Sequence, residues 1–237
     1  MAKFLKIENL LGLILLVLGI FVIILAGPAM VSSYALIPGN APLREVGYGK
    51  GVDQEGLDAI TRSRTRALVW APDPRVTSDL ALAKVLESEQ LGSGGTDQKK
   101  ALLYEAEALL RQSLALKPAD PYAWARLGYV QFLLEGPTKE VARALKLSFL
   151  TGPHEPPQLV FLRLKLALAT LDYFALEDIS LIRHQIRFAW KRQKQQTAYL
   201  AAAFQMEAFF LNAIETTDPG GRETFLNFIK RVKLPKG

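Results

Sequence analysis

The sequence predicts an all-α protein in which a single N-terminal transmembrane helix precedes an α-solenoid of helical hairpins and a helical C-terminal cap. Three observations support this fold class: an uncharged apolar run near the N-terminus, three short stretches that repeat one another, and apolar residues at three- and four-residue spacing elsewhere. Internal repetition is typical of a solenoid, in which each unit buries its apolar face against its neighbours. We therefore divide the chain into an anchor (residues 1–31), a linker (32–55), helical repeats (56–157) and a C-terminal helical region (158–237).

The uncharged run at residues 10–26 predicts the transmembrane helix. At about 1.5 Å per residue it covers roughly 25 Å of a hydrocarbon core about 30 Å thick, and flanking apolar residues can supply the remainder. Because Lys3 and Lys6 precede the run, a cleaved secretory signal is the alternative. The run is longer than the roughly 7–15 apolar residues of a signal sequence, so we expect a retained anchor.

Basic residues around this helix predict its orientation. Lys3, Lys6 and the N-terminal amine precede it, whereas Arg44 is the only Lys or Arg in the stretch that immediately follows. The positive-inside rule then places the N-terminus in the cytoplasm and the body in the periplasm. The expected location is a bacterial inner membrane, which the chain crosses once.

Three small residues, Gly12, Gly19 and Ala26, recur at equal spacing within the anchor. A seven-residue period keeps them near one stripe of a helix, where small side chains let a second transmembrane helix approach closely. The pattern indicates that the anchor packs against a partner helix. The alternative is that glycine is simply frequent in membrane helices.

Glycine and proline punctuate the segment that follows the anchor. Gly27-Pro28, Pro38-Gly39 and Pro42 interrupt it, and no apolar periodicity persists up to about Glu55. Such residues are typical of turns and loops. The segment is therefore predicted to be an irregular tether.

Helical periodicity dominates from Leu57 onward. Pro72 is expected to end the first helix near Trp70, and Thr77-Ser78-Asp79 is predicted to cap the second. The glycine-rich residues 92–95 predict a loop, which lacks the lysine and the preceding strand of a phosphate-binding loop. Further helices are predicted at residues 100–116, from Asp120-Pro121 onward, and at 141–150, 159–171, 177–194, 197–215 and 222–233.

Two of the C-terminal helices are apolar enough to raise the question of a second span. The helix at residues 159–171 is apolar except for Arg163 and Lys165, and it is too short and too charged to cross a bilayer. The helix at residues 197–215 is apolar on most sides, which is typical of a buried helix. We expect both in the core of the body.

The repeated stretches are ALVWAPDP at residues 67–74, SLALKPADP at 113–121 and SFLTGPHEP at 148–156. Each contains a small residue, then bulky apolar residues, a proline, an acidic residue and a second proline. Pro118 and Pro153 are 35 residues apart, close to the 34 residues of a tetratricopeptide repeat. Pro72 lies 46 residues before Pro118, which indicates an insertion near residues 92–98.

Residues 57–157 resemble the tetratricopeptide-repeat family. The segment AEALLRQSLALKP at residues 106–118 is similar to the second helix of such a repeat. Trp124, Leu127 and Gly128 resemble the signature of the first helix of the next repeat. The resemblance implies a curved array of helix pairs whose inner groove binds peptides or proteins.

The candidates for this groove are Tyr122, Trp124, Tyr129 and Gln131, with the core as the alternative place for Trp124. The chain departs from the family pattern at three positions. Gln131 stands where an aromatic residue is usual, and Ser113 and Ser148 replace alanine.

A second resemblance covers residues 119–191. It is carried by GPT at 136–138, ALKLS at 144–148, GPHEP at 152–156 and IRHQIRFAW at 182–190. These motifs are similar to those of a group of membrane-anchored bacterial envelope proteins labelled VpsP-like and linked to exopolysaccharide production. The motifs are structural, so the resemblance implies a cellular context and no reaction.

Composition and motifs assign no catalytic residue, no metal ligand and no cofactor. The chain contains no cysteine, which excludes disulfides and thiolate chemistry. Of its two histidines, His154 lies in a proline-rich turn and is expected to be solvated, and His184 has no nearby carboxylate in the sequence to orient it. We expect a protein that is not an enzyme, because an envelope hydrolase would need a cluster of acids or a nucleophile that the sequence lacks.

The chain carries a net charge of +6, and some of this charge forms a basic ridge. Arg183, Arg187 and Lys191 recur every four residues, with Lys194 predicted near the same face. The ridge is suited to an anionic lipid surface, an acidic protein or an anionic glycan, and the alternative is a merely solvated face. Nucleic acid is not an expected partner of a body outside the cytoplasm.

Together these features predict a membrane-anchored scaffold or accessory protein of a bacterial envelope complex. Its expected partners are other membrane or envelope proteins and the lipid bilayer, and the second resemblance implies exopolysaccharide biosynthesis or export as the context. The alternative is a structural single-pass subunit of a membrane enzyme complex, respiratory or photosynthetic. The small-residue stripe favours the alternative, and the repeat favours the scaffold.

Overall fold

A computed structural model describes residues 2–92 and 96–233. Within these residues the chain forms eleven α-helices and two 3₁₀ turns and contains no strand, which confirms the all-α prediction. The helices are α1 (Ala2–Gly47), α2 (Gln54–Trp70), α3 (Pro74–Gln90), α4 (Thr96–Leu116), α5 (Pro121–Glu135), α6 (Lys139–Thr151), α7 (Pro157–Ala169), α8 (Ile179–Arg192), α9 (Lys194–Ala203), α10 (Glu207–Glu215) and α11 (Gly221–Lys233). The 3₁₀ turns are Leu171–Tyr173 and Leu176–Asp178.

The chain divides into two compact units, the first ending at Ala83 and the second beginning at Lys84. The boundary falls inside α3. The first unit contains the α1–α2 hairpin, and the second contains α4 to α11. The loop predicted at residues 92–95 falls largely on residues 93–95, which lie outside the described part of the chain.

The first helix, α1, is long and apolar enough to cross a membrane. The large apolar side chains between Leu10 and Leu25 are about half exposed or more, so the rest of the described chain leaves this segment uncovered. The prediction of an irregular tether after the anchor is wrong, because α1 continues to Gly47 with Pro28 and Pro38 inside it. Each proline removes one intrahelical hydrogen bond, but α2 packs along this part of α1, and tertiary packing outweighs the local preference.

The two helices of the hairpin run antiparallel and approach very closely at Gly39. A Cβ atom added there would overlap Ser63 Oγ and the Arg64 guanidinium and would lie 2.9 Å from the carbonyl oxygen of Ala59. Arg64, which is 2% exposed, donates to the carbonyl oxygen of Leu36 at 3.1 Å. It also donates to Asn40 Oδ1 and to Ser63 Oγ, each at 2.8 Å.

The three repeated stretches occupy equivalent places in the fold. Each one spans the end of one helix and the connection to the next, at α2–α3, α4–α5 and α6–α7. The small residue that opens each stretch, Ala67, Ser113 or Ser148, is completely buried. The repetition therefore marks a recurring junction between helices, where a small side chain is required in the interior.

An aspartate caps the helix that follows the junction in two of the three cases. Asp120 Oδ1 accepts hydrogen bonds from the backbone N–H groups of Tyr122 and Ala123, as the Asp-Pro sequence predicts. The cap predicted at Thr77-Ser78-Asp79 is wrong, because α3 begins at Pro74 and Asp73 Oδ1 accepts from the N–H of Arg75 at 2.7 Å. The physical reason is the same: an aspartate followed by proline satisfies the free N–H groups of the first turn.

Helices α4, α5 and α6 form two consecutive antiparallel hairpins. In the second hairpin, Gly128 of α5 faces Ala144 and Leu145 of α6, and Ser148 Oγ donates to the carbonyl oxygen of Pro121 at 2.7 Å. Helix α7 then packs on both α5 and α6. The prediction that residues 159–171 form a buried helix is confirmed, since most of α7 is inaccessible to solvent.

A single apolar core fills the C-terminal part of the second unit and includes residues of α6 to α11. The prediction of one helix over residues 197–215 is wrong, because α9 ends at Ala203 and α10 begins at Glu207. Between them Gln205 adopts a left-handed conformation with φ of 56°. After the break the main neighbour changes: α9 packs mainly on α11 and α10 mainly on α8, although each helix contacts both.

Candidate functional site

Helix α5 presents one face to an open cleft of about 240 Å³. Two of the four predicted groove residues, Trp124 and Gln131, lie on this face, because residues seven apart return to the same side of a helix. The wall contributed by α4 and α6 contains both charges and apolar side chains: Arg111, Glu140, Arg143, Ala144 and Leu147. The cleft is therefore lined by aromatic, apolar, cationic and anionic side chains.

Gln131 has the most informative environment in this cleft. The residue is 8% exposed, and its Nε2 donates to Glu107 Oε1 at 3.2 Å. Arg111 Nη2 donates to the same oxygen at 2.7 Å. A carboxylate accepts hydrogen bonds and donates none, so it fixes the amide with the NH₂ group towards Glu107.

The carbonyl oxygen of Gln131 is left without a hydrogen-bond donor among the described residues. An unpaired buried acceptor costs about 1–3 kcal/mol, and native proteins leave few of them. This oxygen is thus an unsatisfied acceptor enclosed in the wall of the cleft.

Trp124 is held in place at the edge of the same cleft. Its Nε1 donates to the carbonyl oxygen of Pro118 at 2.7 Å, across the α4–α5 connection. The side chain is partly exposed, so it is neither a free surface residue nor a fully buried core residue. A fixed aromatic ring with an exposed edge is a favourable contact for an apolar side chain of a partner.

The other two predicted groove residues do not line this cleft. The hydroxyl of Tyr129 donates to Glu89 Oε1 at 2.7 Å, and burial together with this bond raises the pKa of Tyr129. Burial and the neighbouring Glu155 raise the pKa of Tyr122 in the same direction. The structure therefore brings Trp124 and Gln131 into one cleft, whereas the hydroxyls of Tyr129 and Tyr122 bond to Glu89 and Glu155 outside it.

A second, larger cleft of about 390 Å³ adjoins the first along α6. Arg143 and Leu147 line both clefts, so the two form one continuous surface. The second cleft adds Tyr173 and Phe174 from the segment after α7. Sequence reasoning missed this half of the surface, because the residues around 171–178 carry no repeat motif.

The predicted basic ridge is only partly free. Arg183 lies with its guanidinium carbon 5.6 Å from the ring centroid of Phe209. Lys194 begins α9 after a break at Gln193 and forms an ion pair with Asp218 at 3.4 Å, so it does not continue the α8 face. What remains on α8 is Arg187 and Lys191, and both lower the pKa of the adjacent His184.

The two histidines of the chain are in contact, which their sequence positions do not reveal. The rings of His154 and His184 meet edge to face with centroids 5.5 Å apart. His154 is exposed, as expected for a residue in a turn, and its ring also meets that of Phe188. Burial, and then the positive charge of Arg187, lower the pKa of His184.

The described residues hold no group of three or more histidine and carboxylate side chains placed to bind a metal ion. The small-residue stripe of α1 is equally without an internal partner in the described chain. A Cβ added at Gly12 or Gly19 would meet nothing within 4 Å. Gly12, Gly19 and Ala26 therefore lie on an uncovered helix, where a neighbouring helix has room to approach.

Arg163 is the buried group that sequence reasoning noticed but did not interpret. It is completely buried, and its Nη1 donates to the carbonyl oxygens of Ser148 at 2.9 Å and Gly152 at 2.7 Å. Its Nη2 donates to Gln185 Oε1 at 2.8 Å. These carbonyls belong to the C-terminal end of α6, where a cation is favoured by the helix dipole. Arg163 thus joins the end of α6 to α7 and α8 by hydrogen bonds. The feature of the sequence that could have indicated this role is an arginine within an otherwise apolar helix.

Comparisons with protein-family models, with curated proteins and with solved structures find no match for this chain.

Proposed function

We propose that this chain is a single-pass, membrane-anchored scaffold that binds another protein of a bacterial envelope complex. The observation that carries the proposal is the cleft on α5, in which the fixed, partly exposed ring of Trp124 lies among apolar and charged side chains of α4 and α6. The uncovered apolar segment of α1 supplies the attachment to the membrane. Function here is binding, with no chemical step.

The recognition chemistry follows from the residues of the cleft. The buried Oε1 of Gln131 becomes an acceptor for a partner N–H only when its side chain turns into the cleft. The ring of Trp124 and the side chain of Leu147 supply apolar contact area, and Arg143 with Glu140 supplies charges of both signs at the rim. An extended or helical peptide segment with alternating apolar and polar groups fits this surface.

The tetratricopeptide-like arrangement is part of the proposal. It is supported by the antiparallel α4–α5 and α5–α6 hairpins, by the contact of α5 with α7, and by the three equivalent junctions with a buried small residue. A location in the inner membrane with the body in the periplasm follows from Lys3 and Lys6 before the apolar run. Exopolysaccharide biosynthesis or export is the context that the sequence resemblance favours.

The test is capture of the partner by the full-length protein in mild detergent from the envelope of its own host. Arg143→Glu reverses a charge at the centre of the continuous surface, whereas Lys165→Glu makes the same change at an exposed position of α7 outside both clefts. We expect Arg143→Glu to lower recovery of the partner at least about tenfold, which corresponds to about 1.4 kcal/mol, and Lys165→Glu to leave it unchanged.

A photoreactive amino acid at Glu140 gives a direct readout of the same contact, with the same group at Lys165 as the control. The expected result is a cross-link from position 140 to the same partner whose recovery falls in the Arg143→Glu variant. This result would support the cleft as the binding site. Equal recovery with both charge-reversal variants, or cross-links from both positions alike, would exclude it.

The second candidate is a structural single-pass subunit of a membrane enzyme complex. The open space at Gly12 and Gly19 favours it, because a neighbouring transmembrane helix can pack there. The combined change Gly12→Leu and Gly19→Leu separates the candidates. Loss of co-purifying chains with this variant, together with full retention in Arg143→Glu, would favour the structural subunit.

The orientation is tested by fusing alkaline phosphatase, which is active only outside the cytoplasm, to the C-terminus. Activity of the fusion is expected if the body is periplasmic. An inactive fusion, with a fluorescent protein active at the same position, would reverse the proposed orientation.

A further inference from the structure

The last turn of α2 lies close to the level where the run of bulky apolar residues in α1 ends, at Ala26 before Gly27-Pro28. Two contacts give the register of the antiparallel hairpin: Pro42 lies against Gly56, and Leu36 accepts a hydrogen bond from Arg64. Continuing this register by six residues places Trp70 beside α1 about four residues past Ala26. At about 1.5 Å per residue, this is roughly 6 Å beyond the run of bulky apolar residues.

The side chains at this end of α2 are apolar and uncovered within the described chain. Val69 is 79% exposed and Trp70 is 50% exposed, at the last two positions of the helix. By contrast, Ala67 two residues earlier is completely buried. An exposed tryptophan next to an exposed valine is costly in water, and it is typical of a surface that meets something apolar.

Cationic side chains follow one turn further from the apolar run. Arg62 and Arg66 are exposed and four residues apart on α2. Both line a shallow cleft of about 290 Å³ together with Ala35 and Pro38 of α1. The order along the hairpin is thus the strongly apolar run of α1, then the level of Val69 and Trp70, then the level of Arg66 and Arg62.

We propose that the tip of α2, formed by Val69 and Trp70, is a second membrane-contacting element that inserts into the interfacial layer of the bilayer beside α1. The layer on each side of the hydrocarbon core is about 5–8 Å thick, and tryptophan is enriched there because its ring is apolar and its N–H is polar. Arg66, about 6 Å further out along α2, is within reach of the lipid phosphates.

The bilayer is the occupant that the hairpin itself indicates. The tip is level with the end of the apolar segment, so it continues the same apolar band, and the basic residues follow on the side where phosphates lie. A second copy of the chain or another protein would not require this order of side chains along the membrane normal. The inference rests on the proposal that α1 crosses the bilayer.

The experiment uses the full-length protein reconstituted in vesicles of phosphatidylcholine and phosphatidylglycerol, with bromine atoms placed at a known depth in the acyl chains. Bromine quenches tryptophan fluorescence only at short range. The chain contains three tryptophans, so the emission of wild type minus that of Trp70→Phe isolates Trp70. Trp124→Phe is the control, because it removes one tryptophan but retains Trp70.

We expect the Trp70 emission to be shifted to the blue and to be quenched most by bromines near the headgroup. The quenched component should disappear in Trp70→Phe and persist in Trp124→Phe. Emission that resists bromine but is quenched by acrylamide would place Trp70 in water and overturn the inference. Emission that resists both quenchers would place it against protein and overturn the inference equally.

A second measurement uses the absence of cysteine in the chain. Val69→Cys and Thr65→Cys each create a unique site for a nitroxide label, four residues apart on the exposed face of α2. The label at position 69 should lie roughly 6 Å deeper and be more accessible to oxygen than to a water-soluble nickel complex. Equal accessibility at both positions would contradict insertion of the tip.

Failure of the anchor and failure of the tip are distinguishable. Extraction of the vesicles at alkaline pH releases proteins that do not cross the bilayer. Release of the wild-type chain would show that α1 does not cross the bilayer, and the inference about α2 would then lose its premise. Retention of the chain together with a water-exposed Trp70 would support α1 as the anchor and would contradict only the membrane contact of the α2 tip.

Discussion

The two compact units each bury one arginine, and they use it in different ways. In the α1–α2 hairpin, Arg64 reaches across to Leu36 and Asn40 in the middle of a long helix. In the second unit, Arg163 reaches to Ser148 and Gly152 at the end of α6. In both, the Nε atom is buried without a partner among the described residues.

The difference lies in what surrounds each arginine. Arg163 lies against the ring of Phe149 inside a core that includes six helices, and burial lowers its pKa to about 10. Burial also lowers the pKa of Arg64, and the negative charge of Asp79 opposes that shift. Two helices alone bury little apolar surface, so the hairpin depends on close packing at Gly39 and on this polar clamp. The stability of the second unit depends on its apolar core, and Arg163 fixes the α6–α7 junction within that core by its hydrogen bonds.

The largest expected effect is in the second unit. Arg163→Met keeps the length of the side chain but leaves two buried acceptors without a donor, the carbonyl oxygen of Gly152 and Oε1 of Gln185, while the carbonyl oxygen of Ser148 retains only the N–H of Gly152. We expect the free energy of unfolding to fall by about 3–5 kcal/mol, measured by denaturant titration in detergent with tryptophan emission.

Lys165→Met on the same helix is the matched control, because Lys165 is exposed. It should change the free energy of unfolding by less than about 0.5 kcal/mol. A loss below about 1 kcal/mol for Arg163→Met would mean that the core, and not the arginine, determines the junction.

An intermediate effect is expected in the hairpin. Gly39→Ala places a methyl group against Ser63, Arg64 and the backbone of Ala59, and should destabilise the hairpin by about 1–3 kcal/mol. The measurement is amide hydrogen exchange over residues 36–64, which should become faster in this variant and stay unchanged after α6.

Gly27→Ala is the control in the same helix, since its added Cβ meets nothing within 4 Å. Alanine is the better helix former by up to about 1 kcal/mol, so this variant should be neutral or slightly stabilising. Equal exchange rates in the two variants would show that the close approach at Gly39 contributes nothing.

The smallest expected effect is a pH dependence of stability that is confined to the second unit. The pKa of His184 in the folded chain lies below its ordinary value of 6.5, so the unfolded chain binds more protons below that pH. The stability of the second unit should be fully present above pH 6.5 and decrease as the pH falls through the folded pKa. Both histidines lie in this unit, and the hairpin should not respond in the same window.

Denaturant midpoints at pH 7.5 and 5.5, with His184→Gln as the variant without the titrating group, measure this effect. The difference between the two midpoints should be smaller in His184→Gln than in wild type. An unchanged difference would assign the pH dependence to other groups.

The fold was predictable where a local signal decides the backbone. Asp120-Pro121 predicted a cap and a helix start, and the same pair at Asp73-Pro74 would have predicted α3 correctly. Local signals failed where packing decides. The prolines after the anchor favour a tether, yet α2 covers that segment and keeps it helical. The break between Ala203 and Glu207 contains no glycine or proline, so no helix-breaking residue marked it in the sequence.

The candidate site was predictable in part. The resemblance to the tetratricopeptide-repeat family suggested four groove residues, and the structure brings two of them, Trp124 and Gln131, into the cleft. The same resemblance included Tyr122 and Tyr129, whose hydroxyls are committed to Glu155 and Glu89. The unpaired oxygen of Gln131 depends on Glu107 in another helix, and no pattern in the sequence carries that information.

On the proposal that the apolar run of α1 crosses the bilayer, the unbroken course of this helix joins the membrane segment rigidly to the α1–α2 hairpin. From Ala26 to Gly47 the helix extends roughly 32 Å past the apolar run. A membrane of different thickness changes the angle at which such a helix stands, and a change of 10° would swing the far end sideways by roughly 5 Å. On the same proposal, a change in bilayer thickness is expected to displace the hairpin, so the lipid composition of the membrane would affect where the hairpin stands.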